Sequence, residues 1–135
     1  MDNNDKGIAA VTAAILHRGR MLNYVSLVLS ALVVAQFLSK GAAFGVCPSL
    51  VLALGLAEFW FAARVALDAN LFEKIADGKL STKDIDDSLL RLGLIKQEKA
   101  GRSMEDRSRG AFRLLKLQGM CLLGQMAAFI AGAIF

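Results

Sequence analysis

Three stretches, residues 21–39, 41–57 and 117–135, carry no charged side chain, and charges crowd the segments that separate them. An α-helix rises about 1.5 Å per residue and bilayer hydrocarbon is about 30 Å thick, so each run crosses or nearly crosses a membrane. Hydrocarbon offers no partner to a backbone amide, which leaves helices and closed barrels as the spanning structures. A single proline, abundant Ala and Leu, and no alternating strand pattern select helices. Composition points the same way, because 56% hydrophobic residues and a mean hydropathy of +0.49 exceed what a 135-residue soluble core can hide.

The expected fold is an all-α integral membrane protein with three transmembrane helices and a cytoplasmic helical hairpin between helices two and three. Residues 1–20 form an amphipathic N-terminal segment, 21–39 the first span, 40–45 a short outer turn and 46–66 the second span. Residues 67–110 form the hairpin and a basic linker, and 111–135 the third span. A cleaved signal peptide fits 21–39 less well, since the run exceeds the roughly 7–15 apolar residues of a signal core and a second span follows closely.

The net charge of +4 orients the chain rather than pointing to nucleic acid. Arg18 and Arg20 precede the first span, and 11 of the 16 Lys and Arg lie between Lys74 and Lys116. Lys40 alone marks the first connection, and the C-terminal end has no charged side chain. The positive-inside rule puts the N-terminus in the cytoplasm and the C-terminus outside, compatible with a bacterial inner membrane. Arg18, Arg20, Arg109, Arg113 and Lys116 are candidate contacts to lipid headgroups, with long stems lying along apolar surface.

Local signals divide the charged connection. Ile8, Val11 and Ile15 repeat at helical spacing and suggest a stripe that lies along the membrane surface. Pro48 suits the first turn of a helix, and no breaker follows until Gly78, which supplies a left-handed C-terminal cap. Ser81 and Asp84 have capping-box spacing, and Ile85, Leu89 and Leu92 share a face that ends at Gly93. Folding that face onto Leu71 and Ile75 gives a hairpin with an outer acidic face of Asp84, Asp86 and Asp87, a candidate partner-binding surface. Residues 96–102 read as a linker, and Ser103 caps a helix whose first turn carries Glu105 and Asp106.

Association in lipid depends on close approach, and Gly124, Ala128 and Gly132 make two small-xxx-small steps on the third span. Polar residues inside spans are the sites that most invite function. Counted by depth, Glu58, Ser30 and Gln125 share a layer near the midplane, and Arg64, Asn23 and Gln118 a second layer nearer the cytoplasm. Glu58 and Arg64 differ by six residues, so they point to different sides of one helix.

Catalytic patterns do not emerge. One His and two distant Cys assemble neither a zinc set nor a His-based dyad, no glycine-rich phosphate loop occurs, and the Asp84–Asp87 cluster lacks the Gly and terminal Glu of a calcium loop. The expectation is a non-enzymatic protein without cofactor or metal, an accessory or scaffold subunit whose partners are membrane lipids and either a larger membrane protein or further copies of itself. The alternative is an oligomeric transporter or channel that handles protons or cations through Glu58.

Overall fold

A computed structural model describes residues 3–40, 45–93 and 102–134. Among these the chain forms helices α1 (Asn3–His17), α2 (Gly19–Lys40), α3 (Val46–Ala76), α4 (Thr82–Arg91) and α5 (Met104–Ile134), with no strand. Three helical stretches are long and apolar enough to cross a membrane: α1 with α2, α3, and α5. Residues 41–44 of the expected outer turn, 96–101 of the linker and Phe135 lie outside the described residues.

Neighbour pairs give the helix directions. Residue 47 meets 132, 54 meets 124, and 55 meets 125, so α3 and α5 run antiparallel. Gly19 meets Val65 and Gly55 meets Ser30, so α2 is also antiparallel to α3. The buried face of α3 is Val51, Gly55, Glu58, Ala62, Val65, Ala69, Phe72 and Ile75, an alternation of four and three residues that keeps one stripe inward along the whole helix. The small-residue stripe of α5 serves this internal contact: Leu54 lies over Gly124, Cys47 over Gly132, and Ala128 packs with Val33 and Val51. Outside, Tyr24, Val28, Leu56, Phe59, Trp60, Leu123 and Ile130 are exposed, the surface that lipid accepts and water does not.

At 31 residues, α3 and α5 each measure about 46 Å, roughly 16 Å more than bilayer hydrocarbon. The surplus is a packed head at the charged end. Here α1 packs against α3 and α5. It turns Ala9, Ala13 and Leu16 onto Val65, Ala69, Phe72 and Ile75, and leaves Val11 and Ile15 exposed. Small side chains win because they let two helix axes approach closely over several turns. Thr12 Oγ1, 3.0 Å from Ser108 Oγ, ties α1 to α5 within this head.

The caps are as expected. Gly78 takes φ 71°, and the Gly78 N–H to Ile75 O and Lys79 N–H to Lys74 O bonds close α3 in a Schellman motif. Ser81 and Asp84 complete a reciprocal capping box at α4, and the Ser103 hydroxyl accepts from the Asp106 N–H at the start of α5. Ile85 is buried in the head core with Phe72 and Ile75, as the stripe of Leu71 and Ile75 required, whereas Leu92 is exposed.

Asp86 departs from the expected acidic outer face. It follows Ile85 by one helical step and therefore lies on the flank toward α5, where Arg107 Nη2 donates to both carboxylate oxygens at 2.6 Å. With side-chain exposures of 18% and 8%, this pair is largely desolvated. Ile75 is buried and Leu71 half-buried, so both are internal contacts and not an open partner surface. Asp84 and Asp87 remain outward.

Two outcomes follow for the head. Arg107→Met should cost about 3 kcal/mol by stranding a buried carboxylate, whereas Asp86→Leu combined with Arg107→Met should recover most of that loss. Denaturant titration of the detergent-solubilised chain measures both. At α4, the Ser81 hydroxyl and then its N–H donate to Asp84 and hold that carboxyl below the usual aspartate range. A depressed folded value means that the cap contributes above the ordinary range and is lost as pH falls through the folded value. Amide protection at residues 82–84 should therefore collapse in acid, and Ser81→Ala should abolish that step.

Candidate functional site

The stripe of α3 that packs the bundle carries one ionisable group. Glu58 follows Gly55 by three residues and precedes Ala62 by four, so the helical period turns it inward, and it is completely buried. Gln118 and Gln125 on α5 lie seven residues apart, two turns on one face, and both are also fully buried. Ser26 sits on the facing stripe of α2 beside Glu58. These side chains form a polar column along the axis of a bundle whose outside is apolar.

Two amides link the column to its neighbours. Gln118 Nε2 donates to Glu58 Oε1 at 2.7 Å and to Gly19 O at 2.8 Å, so α2, α3 and α5 meet at one nitrogen. Gln125 Nε2 donates to Ser26 O at 3.1 Å and to Ser30 Oγ at 3.0 Å. Because each nitrogen faces two acceptors, the orientation of both amides is set by the network. Gly55 makes the upper link possible: a Cβ there would stand 2.6 Å from Ser30 Oγ and 2.9 Å from Gln125 Nε2. Gly19 plays the same part below, where a Cβ would lie 3.0 Å from Gln118 Oε1 and 3.1 Å from Val65 Cγ1.

Glu58 Oε2, Gln118 Oε1, Gln125 Oε1 and Asn23 Oδ1 are buried oxygens that accept no hydrogen bond from the protein. Every member of that set is an acceptor, so the interior is short of hydrogens and not of lone pairs. A carboxyl with one free buried oxygen can take up a proton or meet a small cation, which is the chemistry this column can support.

The two layers expected from depth are regrouped. Ser30 and Gln125 do join, but Glu58 bonds Gln118, two turns nearer the charged end than Gln125. Arg64 is exposed and stands outside the column, its guanidinium 5.6 Å from the Trp60 ring centroid, a cation–π contact on the outer surface. Asn23 is half-buried and lines a cleft between α2 and α3. Arg18, Arg20, Arg109, Arg113 and Lys116 are exposed, as headgroup contacts need to be, although Arg109 also approaches Glu105 at 4.0 Å and Asp106 at 3.9 Å. Sequence reading missed Ser26 and Gly55, and it read Gly19 only as a bend into the first span. The spacing of seven between 19, 26 and 33, and between 118 and 125, carried the signal.

Gly55→Ala should unseat Gln125 and cost about 2 kcal/mol, the scale of two strained or lost buried hydrogen bonds, read as earlier unfolding in detergent. Gln118→Leu should strand Glu58 Oε1 and cost at least as much. No family model matches the chain, and no curated protein or solved structure matches it.

Proposed function

We propose that this chain is a non-catalytic integral membrane protein, an accessory or scaffold subunit that docks into a larger membrane assembly. The observation that carries the reading is the folded head: α3 and α5 extend well beyond their apolar spans, and α1 and α4 are packed and capped onto the extensions. Such a head displays Asp84 and Asp87 outward and offers a rigid surface for a partner. The amides and carboxyl of the spans act as interhelical links, which fixes the bundle and leaves an apolar exterior for lipid or a partner's helices.

In this reading the three long helices cross a bacterial inner membrane. Charge asymmetry puts the N-terminus and head in the cytoplasm, with the α3–α4 turn as a cytoplasmic hairpin, and the end of α5 outside. The partners are lipids and a larger membrane protein or further copies of the chain.

A second reading rests on Glu58 Oε2, buried without a hydrogen-bond partner, and makes an oligomer of this chain a carrier of protons or cations.

Gentle detergent extraction followed by mass spectrometry should recover a stoichiometric partner or a defined oligomer, and a lone monomer at every detergent concentration overturns the accessory reading. Charge reversal at Asp84 and Asp87 should weaken retention of a partner about tenfold without unfolding the chain. Glu58→Gln separates the two readings. The isosteric amide should leave assembly and vesicle ion flux unchanged for a scaffold, and should abolish flux while assembly persists for a carrier.

A further inference from the structure

The amide hydrogens of the polar column are all in use. Gln118 directs both of its own to Glu58 Oε1 and Gly19 O, and Gln125 directs both to Ser26 O and Ser30 Oγ. Glu58 Oε2, Gln118 Oε1 and Gln125 Oε1 are left as buried acceptors that receive none. An ionised Glu58 makes this shortage of hydrogens worst, because a carboxylate only accepts.

A buried negative charge persists where a cation or several hydrogen bonds meet it. Along α2 no charged residue lies between Arg20 and Lys40, and along α5 none follows Lys116. On α3 itself Arg64 is exposed on the outer surface over Trp60. The groups that face the carboxyl are uncharged: the Gln118 amide and the Cys121 thiol of α5 and the Ser26 hydroxyl of α2. Among the described residues no ion pair includes Glu58, and no three His, Cys, Asp or Glu side chains stand together as a metal site needs. The hydrogen that is missing is the one a carboxylic acid carries. Gln118 turns an N–H to Glu58 Oε1 and has, in the same amide plane, an oxygen without a donor. Glu58 becomes the complement of that amide once Oε2 bears a hydrogen, and the second amide hydrogen is the one that Gly19 O takes. A proton is held covalently and enters with the chain, so the closed surroundings that exclude a hydrated cation do not exclude it.

We propose that Glu58 carries a resident proton at neutral pH and that its Oε2–H donates to Gln118 Oε1, so that acid and amide clasp α3 to α5 through two hydrogen bonds. The ligand of this site is a proton and not a metal or alkali cation. That narrows the carrier reading to protons, and it suits the scaffold reading equally, since there the proton never leaves. The inference rests on the spans lying in hydrocarbon and on neither reading of function.

Infrared spectroscopy of the full chain in lipid nanodiscs, with glutamate labelled by carbon-13 at the side-chain carboxyl, tests this at neutral pH, where an exposed glutamate is ionised. The wild type should show a labelled neutral-acid carbonyl band that shifts down in heavy water. The glutamates are residues 58, 73, 98 and 105, so a chain with Glu73→Gln, Glu98→Gln and Glu105→Gln keeps Glu58 as the single labelled side chain and should retain the band undiminished. Glu58→Gln should lose it. In folded Gln118→Leu the band should move up in frequency as the acid loses its amide partner, and replacing choline by Na+ or K+ should change nothing. Ionised-carboxylate bands alone in the triple variant overturn the proposal, and a response of those bands to Na+ or K+ identifies a cation site in its place. An unshifted band in folded Gln118→Leu overturns the clasp. Proton flux into vesicles is read separately, and its absence sinks the carrier reading while the resident proton stands.

Discussion

A polar side chain in hydrocarbon has no water to fall back on, and that constraint organises this molecule. Glu58, Gln118 and Gln125 would be costly facing lipid and are useful facing one another. Turned inward, one amide nitrogen of Gln118 joins Glu58 of α3 to the backbone of α2 at Gly19. Rotation of α3 by a single residue would break that junction and expose a carboxyl to lipid. The column therefore specifies register in a bundle whose apolar contacts, being mostly Ala, Val and Leu, tolerate sliding.

At the charged end apolar packing takes the larger share of the helix contacts. There the core is Leu16, Val65, Phe72, Ile75, Ile85 and Met104, with Thr12 and Ser108 buried in contact beside it and Asp86 paired with Arg107. One continuous α3 serves both regimes with one buried stripe. That continuity joins the head to the spans through a single unbroken helix.

What was legible in the sequence was whatever depends on neighbours along the chain. The three apolar runs, the Gly78 and Gly93 caps, the Ser81–Asp84 box and the Ser103 cap are local events, and each stands where its residues place it. Azimuth was harder. Counting depth grouped Glu58 with Ser30 and Gln125 and put Arg64 beside Gln118, because depth ignores which side of the helix a residue occupies. Arg64 is six positions from Glu58 and so faces outward over Trp60. Asp86 was misplaced for a related reason: its neighbours Asp84 and Asp87 do face out, and only the arrival of Arg107 from a distant segment makes the third position internal. At the N-terminus the larger apolar residues Val11 and Ile15 stay exposed, whereas close helix packing selects Ala9 and Ala13, which a ranking by hydrophobicity does not single out.

Gly19 shows how tightly these features are joined. Its carbonyl accepts from Gln118, its missing side chain gives room to Leu115 and Val65, and it also borders the cleft beside Arg20. It begins α2 immediately after Arg18, where α1 ends and the chain passes from head to span. A β-carbon at this point would press on α3 and α5 at once, 3.0–3.1 Å from atoms of both. Here the backbone of α2 meets the side chains of Val65 from α3 and of Leu115 and Gln118 from α5 directly. The cleft lined by Arg20 and Asn23 therefore lies against the same turn of α2 whose Gly19 carbonyl accepts the Gln118 bond.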